Sequence, residues 1–351
     1  MNLNNIFKKV TGIALAATLS FGAFAGNAFA AQSGKINKEG SSNALTEAPS
    51  IEKEVTGGYF GGGTFEYEIK AADAPAYSGY QSRTSADPLI GIGDGNIAIE
   101  EGGKTGSEKL TVNQAAVDKA QPGVYRYQVS EKASGISGMK DDEKVYDVDV
   151  FVTSDNGKGR KIAYYIVSLN GEKSPLKFTN ELSQKSLKIT KKIDGNQADL
   201  SDTFEFTIAL EQAEGKTNTS VRLNNATSIK SGENAVSAGQ IGNGESFEIT
   251  GLASGDKVTI TEKDTANKQG YKASVDYNDG KLDSADVTQT GTSVTFTVAD
   301  NGEITWTNTR TAEIPTGLIE NIAPFVLAIA AAGVIFFVYF KRDKNEEEQY
   351  A

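Results

Sequence analysis

The chain has 351 residues and a formal net charge of −11, and it contains no cysteine and no histidine. These absences exclude disulfides and thiol chemistry and remove the commonest general base and metal ligand, so no cofactor or metal is predicted. The negative charge argues against nucleic acid or anionic lipid as partners, since both select basic surfaces. The 37 glycines, 16 phenylalanines and 13 tyrosines, without a long amphipathic helical pattern, are typical of strands and turns.

The N-terminus has the pattern of a secretory signal peptide over residues 1–30. Two lysines precede an apolar stretch, Val10 to Phe24, and a small-x-small cleavage site ends at Ala30. We therefore expect cleavage between Ala30 and Ala31. Residues 31–48, which are rich in Ser, Gly, Asn and Lys, are predicted to form a flexible leader.

Short stretches with period-two or aromatic and β-branched patterns follow and predict β-strands. The predicted strands of a first set are Thr64–Ile69, Val124–Val129, Val145–Val152 and Ile162–Val167, and those of a second set, which begins at Leu187, include Phe204–Leu210, Phe247–Ile249, Lys257–Ile260, Val294–Val298 and Ile304–Trp306. Asn156-Gly157 and Asn170-Gly171 are turn signals. Many short strands with polar turns predict an all-β chain of two tandem β-sandwich domains, at 49–182 and 183–312.

Three short motifs recur in the same order in both sets, which supports a tandem repeat. The matching segments are Ser50–Val55 with Lys188–Ile193, Val129–Lys132 with Ile260–Lys263, and Phe178–Asn180 with Trp306–Asn308. Each set therefore runs Lys, then Glu, then Asn. The residues are Lys53, Glu131 and Asn180 in the first set and Lys191, Glu262 and Asn308 in the second. The boundary between the repeats is expected near Leu182 to Ser186.

The Lys and Asn of each set are predicted to point into the core, because each follows an apolar or aromatic residue by two positions on its strand. Apolar surroundings lower the pKa of a lysine and raise that of a glutamate, so a neutral amine can face a protonated carboxyl. The amine can then attack the Asn carbonyl while the carboxyl stabilises the oxyanion and shuttles protons, with loss of ammonia. Contact imposed by the fold can contribute roughly 7 to 11 kcal/mol, so no external enzyme is needed. The alternative is that these are ordinary solvated surface residues.

Residues 313–351 combine a short motif, an apolar run and a basic tail. The apolar run at 322–340 is close to the roughly 20 residues that span a bilayer as a helix. The basic residues of 341–351 would hold that end in the cytoplasm. A plain membrane anchor explains the run and the tail but not the Pro-Thr-Gly upstream, which lies within the motif Glu313, Ile314, Pro315, Thr316 and Gly317.

This tripartite arrangement resembles the cell-wall sorting signal of Gram-positive surface proteins, in its pilin-type variant. The resemblance implies that a membrane sortase cuts between Thr316 and Gly317 and passes the Thr acyl group to an amine. The Lys, Glu, Asn sets resemble the intramolecular isopeptide-bonded, immunoglobulin-like domains of streptococcal-type pilus backbone subunits. That resemblance implies a Lys53–Asn180 bond assisted by Glu131, and an equivalent bond in the second domain. There Lys191 would bond to Asn308 with Glu262 assisting.

The lysine that receives the Thr acyl group of another subunit is assigned by the same resemblance. Several pilins of this class mark it with a Tyr-Pro-Lys motif, which this chain lacks. The segment Gly171–Asn180 resembles the streptococcal-type backbone pilin instead, with a Lys two residues before a Pro and seven before the reactive Asn. Lys173 is therefore the expected acceptor. It could also be an ordinary turn lysine, and Lys177, Lys158 and Lys161 are nearby rivals.

The resemblance as a whole implies a structural, non-enzymatic backbone subunit of a covalently polymerised pilus on the cell surface and cell wall. Its expected partners are a pilin-type sortase, identical subunits, peptidoglycan and host surface ligands. A wall-anchored monomeric adhesin or minor pilin would share these signals without needing Lys173. An enzyme is disfavoured: Gly103-Lys104-Thr105 imitates the end of a phosphate-binding loop, but Ala98 stands where a Gly is required. The acidic pair Asp141-Asp142 lies in a polar turn without a motif.

Overall fold

The computed structural model describes residues 45–263, 270–277, 287–312 and 324–338. The predicted signal peptide, the sorting motif and the basic tail lie outside the described residues. Within them the chain is mostly β-strand, with short helices at Gln114–Lys119 and at 324–338, so the all-β prediction is confirmed. None of the described helices is long and apolar enough to cross a membrane.

The first eleven strands form two sheets that face each other. The strands are β1 (Ser50–Gly57), β2 (Gly63–Ala72), β3 (Ile90–Ile92), β4 (Asn96–Ile99), β5 (Thr105–Val112), β6 (Gly123–Glu131), β7 (Met139–Lys140), β8 (Val145–Ser154), β9 (Arg160–Leu169), β10 (Glu172–Lys173) and β11 (Lys177–Leu182). One sheet has the order β3-β5-β1-β11-β7 and the other β10-β9-β8-β6-β2-β4. Buried residues of both sheets, among them Phe65, Val148 and Phe178, form one core between them. We refer to this unit as the N-terminal sandwich.

The remaining eleven strands repeat this arrangement. They are β12 (Lys185–Asp194), β13 (Thr203–Glu211), β14 (Arg222–Leu223), β15 (Thr227–Ser228), β16 (Val236–Gly242), β17 (Ser246–Leu252), β18 (Lys257–Glu262), β19 (Lys272–Tyr277), β20 (Thr288–Thr290), β21 (Ser293–Thr297) and β22 (Gly302–Thr309). The sheets have the orders β15-β14-β17-β12-β22-β19 and β16-β13-β18-β21-β20. Phe206, Phe247 and Trp306 are part of the core between them. We refer to this unit as the C-terminal sandwich.

The local sequence explains the first strand of each sandwich. In β1 the inward positions are Ile51, Lys53 and Val55, and the residues between them face outward or are half-buried. In β12 the inward positions include Ile189, Lys191 and Ile193. Because side chains alternate between the two faces of a strand, the aliphatic residues on either side of each lysine carry it into the core. A buried lysine in each sandwich is therefore a direct result of the strand pattern.

The two predicted Asn-Gly turns are confirmed. Asn170 and Gly171 have φ angles of 52° and 80° and join β9 to β10, with Leu169 opposite Glu172. Asn156 and Gly157 have φ angles of 43° and 84°. A two-residue hairpin turn with both central residues in the left-handed region matches the twist of the strands, and Asn-Gly tolerates that conformation.

The last residues of the predicted leader contact the N-terminal sandwich. The backbone of Leu45 forms two hydrogen bonds with Tyr165, one at 2.9 Å and one at 2.8 Å. Leu45 and Ala48 also pack against the core. The first described residues are therefore anchored along β9 by backbone pairing and apolar contact.

Candidate functional site

Lys53 and Asn180 of the N-terminal sandwich lie on neighbouring parallel strands. β1 and β11 pair with Lys53 opposite Phe178 and Val55 opposite Asn180. Since residues two apart share a face of the sheet, the amine and the carboxamide both project into the core. Their exposed fractions are 1% and 0%. The structure therefore brings together two residues that are far apart in the sequence, with the inward orientation that the strand pattern predicts.

Glu131, the last residue of β6, reaches both of these side chains from the opposite sheet. Its Oε2 accepts a hydrogen bond from Lys53 Nζ at 2.5 Å, and its Oε1 accepts one from Asn180 Nδ2 at 2.5 Å. The Glu131 side chain is fully buried. One carboxyl group thus bridges the amine nitrogen and the amide nitrogen with a separate oxygen on each.

Burial shifts the ionisation of this pair toward its neutral forms. Burial lowers the pKa of Lys53, against the opposing effect of Glu131, and it raises the pKa of Glu131, against the opposing hydrogen bonds from Lys53 and Asn180. The Lys53 Nζ also lies 4.3 Å from the centroid of the Phe65 ring, which is an apolar neighbour on one side of the amine. Both shifts favour a neutral amine beside a protonated carboxyl, which is the nucleophilic form of the lysine.

Asp141 and Asp142, which belong to no recognisable sequence motif, complete the surroundings of the Asn180 side chain. Asn180 Nδ2 donates to Asp141 Oδ1 at 3.1 Å, in addition to Glu131. The backbone N–H of Asp142 donates to Asn180 Oδ1 at 2.9 Å. Both polar atoms of the carboxamide therefore have partners, with carboxyl groups on the nitrogen and a backbone N–H on the oxygen.

The turn that carries these two aspartates is fixed by the strand next to Asn180. β7 pairs with β11 through Met139 opposite Leu182, which places the following turn beside the end of β11. The Asp142 carboxylate accepts a hydrogen bond from the backbone N–H of Thr179 at 2.7 Å. Burial alone would raise the pKa of Asp142, but Lys144 and the Thr179 N–H outweigh it and the pKa is lowered. The Asp142 carboxylate is therefore held in its charged form.

The C-terminal sandwich repeats the same strand relationship. β12 and β22 pair in parallel with Lys191 opposite Trp306 and Ile193 opposite Asn308. Lys191 Nζ and Asn308 Nδ2 donate to the same oxygen, Glu262 Oε1, at 2.8 Å and 2.9 Å. Lys191, Glu262 and Asn308 are all buried. The register of the strands and the three residue types are thus the same in both sandwiches.

The two sites differ in how the remaining polar atoms are used. In the C-terminal sandwich, Trp306 Nε1 donates to Glu262 Oε2 at 3.0 Å, whereas the corresponding Phe178 has no donor. Within the described part of the chain, Asn308 Oδ1 is buried without a hydrogen-bond partner, whereas Asn180 Oδ1 accepts from Asp142. The carboxyl of the C-terminal site is therefore oriented by an indole, and the carboxamide of the N-terminal site is oriented by a turn.

The lysines next to these residues point away from the core. Lys192 is exposed and pairs with Asp194 at 3.0 Å, and Lys188 pairs with Glu303 at 3.3 Å on the outer face of β12. Only alternate positions of a strand face the core, so Lys191 rather than Lys192 reaches the carboxyl.

Lys173, the predicted acceptor, lies at an edge of the N-terminal sandwich. It is in β10, opposite Ser168 and directly after the Asn170-Gly171 turn, and β10 is the edge strand of its sheet. Its side chain is half-buried, and burial lowers its pKa. Of the rivals, Lys177 pairs with Glu54 at 2.7 Å, Lys161 pairs with Asp155 at 2.8 Å, and Lys158 is exposed.

Each buried set combines a nucleophile, a carbonyl carbon and a group that can transfer protons. The carboxyl contacts both the attacking nitrogen and the departing nitrogen, so transfer of the asparagine acyl group from its amide nitrogen to the lysine amine, with release of ammonia, needs no further reactant. Together, the folds and the sites define a class of protein, a tandem β-sandwich protein with an amine, a carboxyl and a carboxamide in contact inside each core.

The comparisons with known proteins find similarity along both sandwiches. Residues 49–183 match the family of Spy0128-like isopeptide containing domains, and residues 185–310 match a family described as a domain of unknown function, DUF7601. The chain is 29% identical over 258 residues to a pilin of Streptococcus pyogenes serotype M1, covering 70% of this chain and 74% of that protein. The N-terminal sandwich is therefore similar in sequence to the Spy0128-like isopeptide containing domains.

Solved structures of pilins have a similar fold. The major pilin protein T3.2 of Streptococcus pyogenes is 25% identical, with a TM-score of 0.54 over 76% of this chain and 99% of that chain. The major pilin protein T-13 of the same species has the same fold, with 21% identity and a TM-score of 0.52 over 76% of this chain and 98% of that chain. The predicted resemblance to Gram-positive pilus backbone subunits is confirmed.

Proposed function

We propose that this protein is the structural backbone subunit of a covalently polymerised pilus. Its precursor is exported by a signal peptide that is cleaved between Ala30 and Ala31, and it is held in the membrane by the C-terminal apolar run. A sortase then joins Thr316 to Lys173 of the next subunit. Two immunoglobulin-like domains, at 49–182 and 183–312, form the shaft of each subunit. The basal subunit is attached to peptidoglycan.

We propose further that each domain forms its own isopeptide bond. In the N-terminal domain Lys53 bonds to Asn180 with Glu131 assisting, and the C-terminal domain uses the equivalent residues. The single observation that supports this most strongly is the duplication of the contacts. Lysine, carboxyl and carboxamide meet in both cores with the same strand register. Burying an amine and a carboxyl costs several kcal/mol per ion, and their mutual attraction repays this cost only with excellent geometry, so two such sets are improbable as packing alone.

The chemistry needs only the atoms of each site. The neutral amine of the lysine attacks the carbonyl carbon of the asparagine, and the carboxyl donates a proton to the departing amide nitrogen. It then takes a proton from the attacking nitrogen, so the carboxyl is regenerated and one ammonia is released. The enzyme-like step occurs once per domain, which makes the protein its own single-turnover catalyst rather than an enzyme.

Such bonds would take the place of disulfides. The chain has no cysteine. A crosslink that closes a loop of about 100 residues contributes about 4.7 kcal/mol in the chain-entropy treatment of disulfides, and an amide cannot be reduced. A pilus outside the cell would gain resistance to unfolding and proteolysis from them.

The intact mass of the mature region, residues 31–316, tests the bonds. The wild-type chain is expected to weigh two ammonias less than its sequence, and Lys53→Met and Lys191→Met are each expected to restore one ammonia. Lys192→Met is the matched control, because Lys192 faces outward and its loss leaves both bonds intact. A wild-type mass equal to that of the sequence would refute the proposal.

A wall-anchored adhesin or minor pilin is the alternative, and it would have the same crosslinks without polymerisation. The similarity to the T3.2 major pilin over 99% of that chain favours the backbone subunit. Wall extracts are expected to contain a ladder of covalent high-mass species that disappears in Lys173→Ala and persists in Lys158→Ala. A single-mass species in wild-type extracts would favour the adhesin.

A further inference from the structure

We propose that the backbone N–H of Asp142 is the oxyanion donor for isopeptide bond formation in the N-terminal sandwich. This inference rests on the proposed function, and it assigns a separate polar atom to each of the three tasks of the reaction: the two oxygens of Glu131 serve the two nitrogens, and the Asp142 N–H serves the carbonyl oxygen. The attacking nitrogen, the departing nitrogen and the carbonyl oxygen each contact a different polar atom before the bond forms.

The contacts of Glu131 leave the carbonyl oxygen to another group. Its Oε2 is hydrogen-bonded to Lys53 Nζ and its Oε1 to Asn180 Nδ2, so both oxygens contact nitrogens that gain or lose a proton in the reaction. The carbonyl oxygen, Asn180 Oδ1, accepts from the Asp142 N–H at 2.9 Å. When Lys53 attacks, the electron pair of the C=O bond moves to Oδ1. This oxygen becomes negative where a backbone dipole already points at it.

The donor is held in place before the reaction. The Asp142 carboxylate accepts hydrogen bonds from the backbone N–H groups of Thr179 and Lys144, at 2.7 Å and 3.0 Å. Thr179 is the neighbour of Asn180 on β11, so the turn is tied to the strand that carries the carbonyl. Asp141 binds the other end of the carboxamide through Asn180 Nδ2. This contact prevents the amide from rotating by half a turn, which would take the oxygen away from the N–H.

The reaction is balanced with these groups alone. A bond forms between Nζ of Lys53 and Cγ of Asn180, and the bond between Cγ and Nδ2 of Asn180 breaks. Glu131 gives its proton to Nδ2, which leaves as ammonia, and receives one from Nζ. The oxyanion collapses to a carbonyl that is still within reach of the Asp142 N–H. Asp142 transfers no proton, so its contribution is to lower the energy of the charged intermediate.

The C-terminal sandwich offers a comparison inside the same molecule. Its carboxyl contacts both nitrogens through one oxygen, Glu262 Oε1, while Trp306 orients the other. Among the described residues, no group donates to Asn308 Oδ1. Changes at position 142 are therefore expected to alter only the N-terminal bond.

The direct test removes the N–H and keeps the side chain. Residues 31–316 carrying Lys191→Met, so that only the N-terminal bond can form, are made by cell-free translation with the α-hydroxy acid analogue of aspartate at position 142. This replaces the amide by an ester. An ester at the exposed neighbour Glu143 is the matched control. Translation is stopped and ammonia loss is followed by intact mass. We expect a rate roughly 10² to 10³ lower for the ester at 142 and an unchanged rate for the ester at 143.

A simpler pair of variants supports the reading of this experiment. Asp142→Ala and Asp142→Pro both lack the carboxylate, but only the proline variant also lacks the N–H. Ammonia loss is therefore expected to be slower in the proline variant than in the alanine variant. In a Lys53→Met chain, Asp142→Pro is expected to leave the C-terminal bond unaffected.

The outcomes separate this inference from the proposed function. If the unmodified Lys191→Met chain loses no ammonia, the proposed crosslink itself is refuted. If that chain reacts and the ester at 142 reacts as fast as the ester at 143, the assignment of Asp142 alone is overturned. The ester comparison decides the question even where the proline variant fails to fold.

Discussion

Lys53 is the register partner of Phe178 in the parallel pairing of β1 with β11, and the partner strands of the C-terminal sandwich place Lys191 opposite Trp306 in the same way. In both sandwiches the buried Asn follows that aromatic residue by two positions and so shares the inner face with the lysine. A slip of one residue would turn the Asn to the outer face of the sheet. The register of each strand pair therefore brings the amine to the carboxamide.

Removal of the assisting carboxyl tests the role of Glu131. Glu131→Ala is expected to retain one ammonia and to destabilise the N-terminal sandwich by at least about 3 to 5 kcal/mol, because the crosslink does not form and Lys53 is left buried without its partner. Intact mass and denaturant unfolding measure the two effects. Glu66→Ala is the control: Glu66 pairs with Lys132 on the exposed surface, and its loss is expected to cost less than about 1 kcal/mol. A Glu131→Ala chain that still loses two ammonias would contradict the assignment.

Loss of the C-terminal crosslink tests its contribution to stability. Lys191→Met keeps an unbranched side chain in the core but removes the amine, so the closed loop between Lys191 and Asn308 opens. The expected loss in the free energy of unfolding is about 4 to 5 kcal/mol, measured by denaturant unfolding against wild type. Lys192→Met, at an exposed position of the same strand, is expected to unfold like wild type. Equal stability of all three chains would show that no crosslink closes this loop.

The rate of bond formation in the N-terminal sandwich is expected to depend on pH with a central plateau. The neutral pair and the ion pair of Lys53 and Glu131 contain the same number of protons, so pH does not shift the balance between them on the plateau. At low pH the pair gains a proton and the amine is charged. At high pH it loses a proton and no acid remains. Burial raises the pKa of Glu131 from 4.5 and lowers that of Lys53 from 10.5. The rate is therefore expected to fall on the acid side at a pH above 4.5 and on the basic side at a pH below 10.5.

The measurement uses the Lys191→Met chain, shifted to each pH directly after translation stops. Ammonia loss is followed by intact mass, and far-ultraviolet circular dichroism at each pH controls for unfolding. An acid limb with its midpoint above 4.5 and a basic limb with its midpoint below 10.5 are expected. An acid midpoint at or below pH 4.5 together with a basic midpoint at or above pH 10.5 would mean that the reacting pair is not desolvated.

The sequence was sufficient for the parts of the site that depend on strand pattern. Alternation predicted that Lys53 and Asn180 point inward, and the repeated Lys, Glu, Asn order predicted which residues belong together. The Asn-Gly turns were equally readable, because only a few residue types accept a left-handed backbone. These features are local, or they are repeated in the chain, and so they leave a signal in the sequence.

The turn at Asp141 and Asp142 left no such signal. Its position beside Asn180 depends on the pairing of β7 with β11, and β7 has only two residues, Met139 and Lys140. A strand this short has no readable periodicity. The donor to Asn180 Oδ1 is moreover a backbone N–H, which every residue except proline possesses, so residue identity could not reveal it. The indole contact of Trp306 with Glu262 was missed for a related reason, because the paired motif has Phe178 at that position.

The two crosslinks are expected to differ in how they meet a pulling force on the polymer. With Lys173 as the acceptor, tension passes from β10 into β11 and leaves the N-terminal sandwich after Leu182. It then enters β12 at Lys185 and leaves the C-terminal sandwich after β22, which ends at Thr309. β12 and β22 are parallel neighbours, so this force shears one strand past the other. The bond between Lys191 and Asn308 joins those two strands directly, whereas β1, which carries Lys53, lies before the point where the load enters.

Single-molecule pulling on sortase-assembled polymers tests this difference. Polymers of Lys191→Met subunits are expected to extend by unfolding of the C-terminal sandwich at forces that wild-type polymers withstand, because only hydrogen bonds then resist the shear. Polymers of Lys53→Met subunits are expected to keep the wild-type force response while losing resistance to proteolysis in the N-terminal sandwich. Lys192→Met polymers control for the loss of a charge on β12. An equal loss of force resistance in the Lys191→Met and Lys53→Met polymers would show that the load does not enter at Lys173.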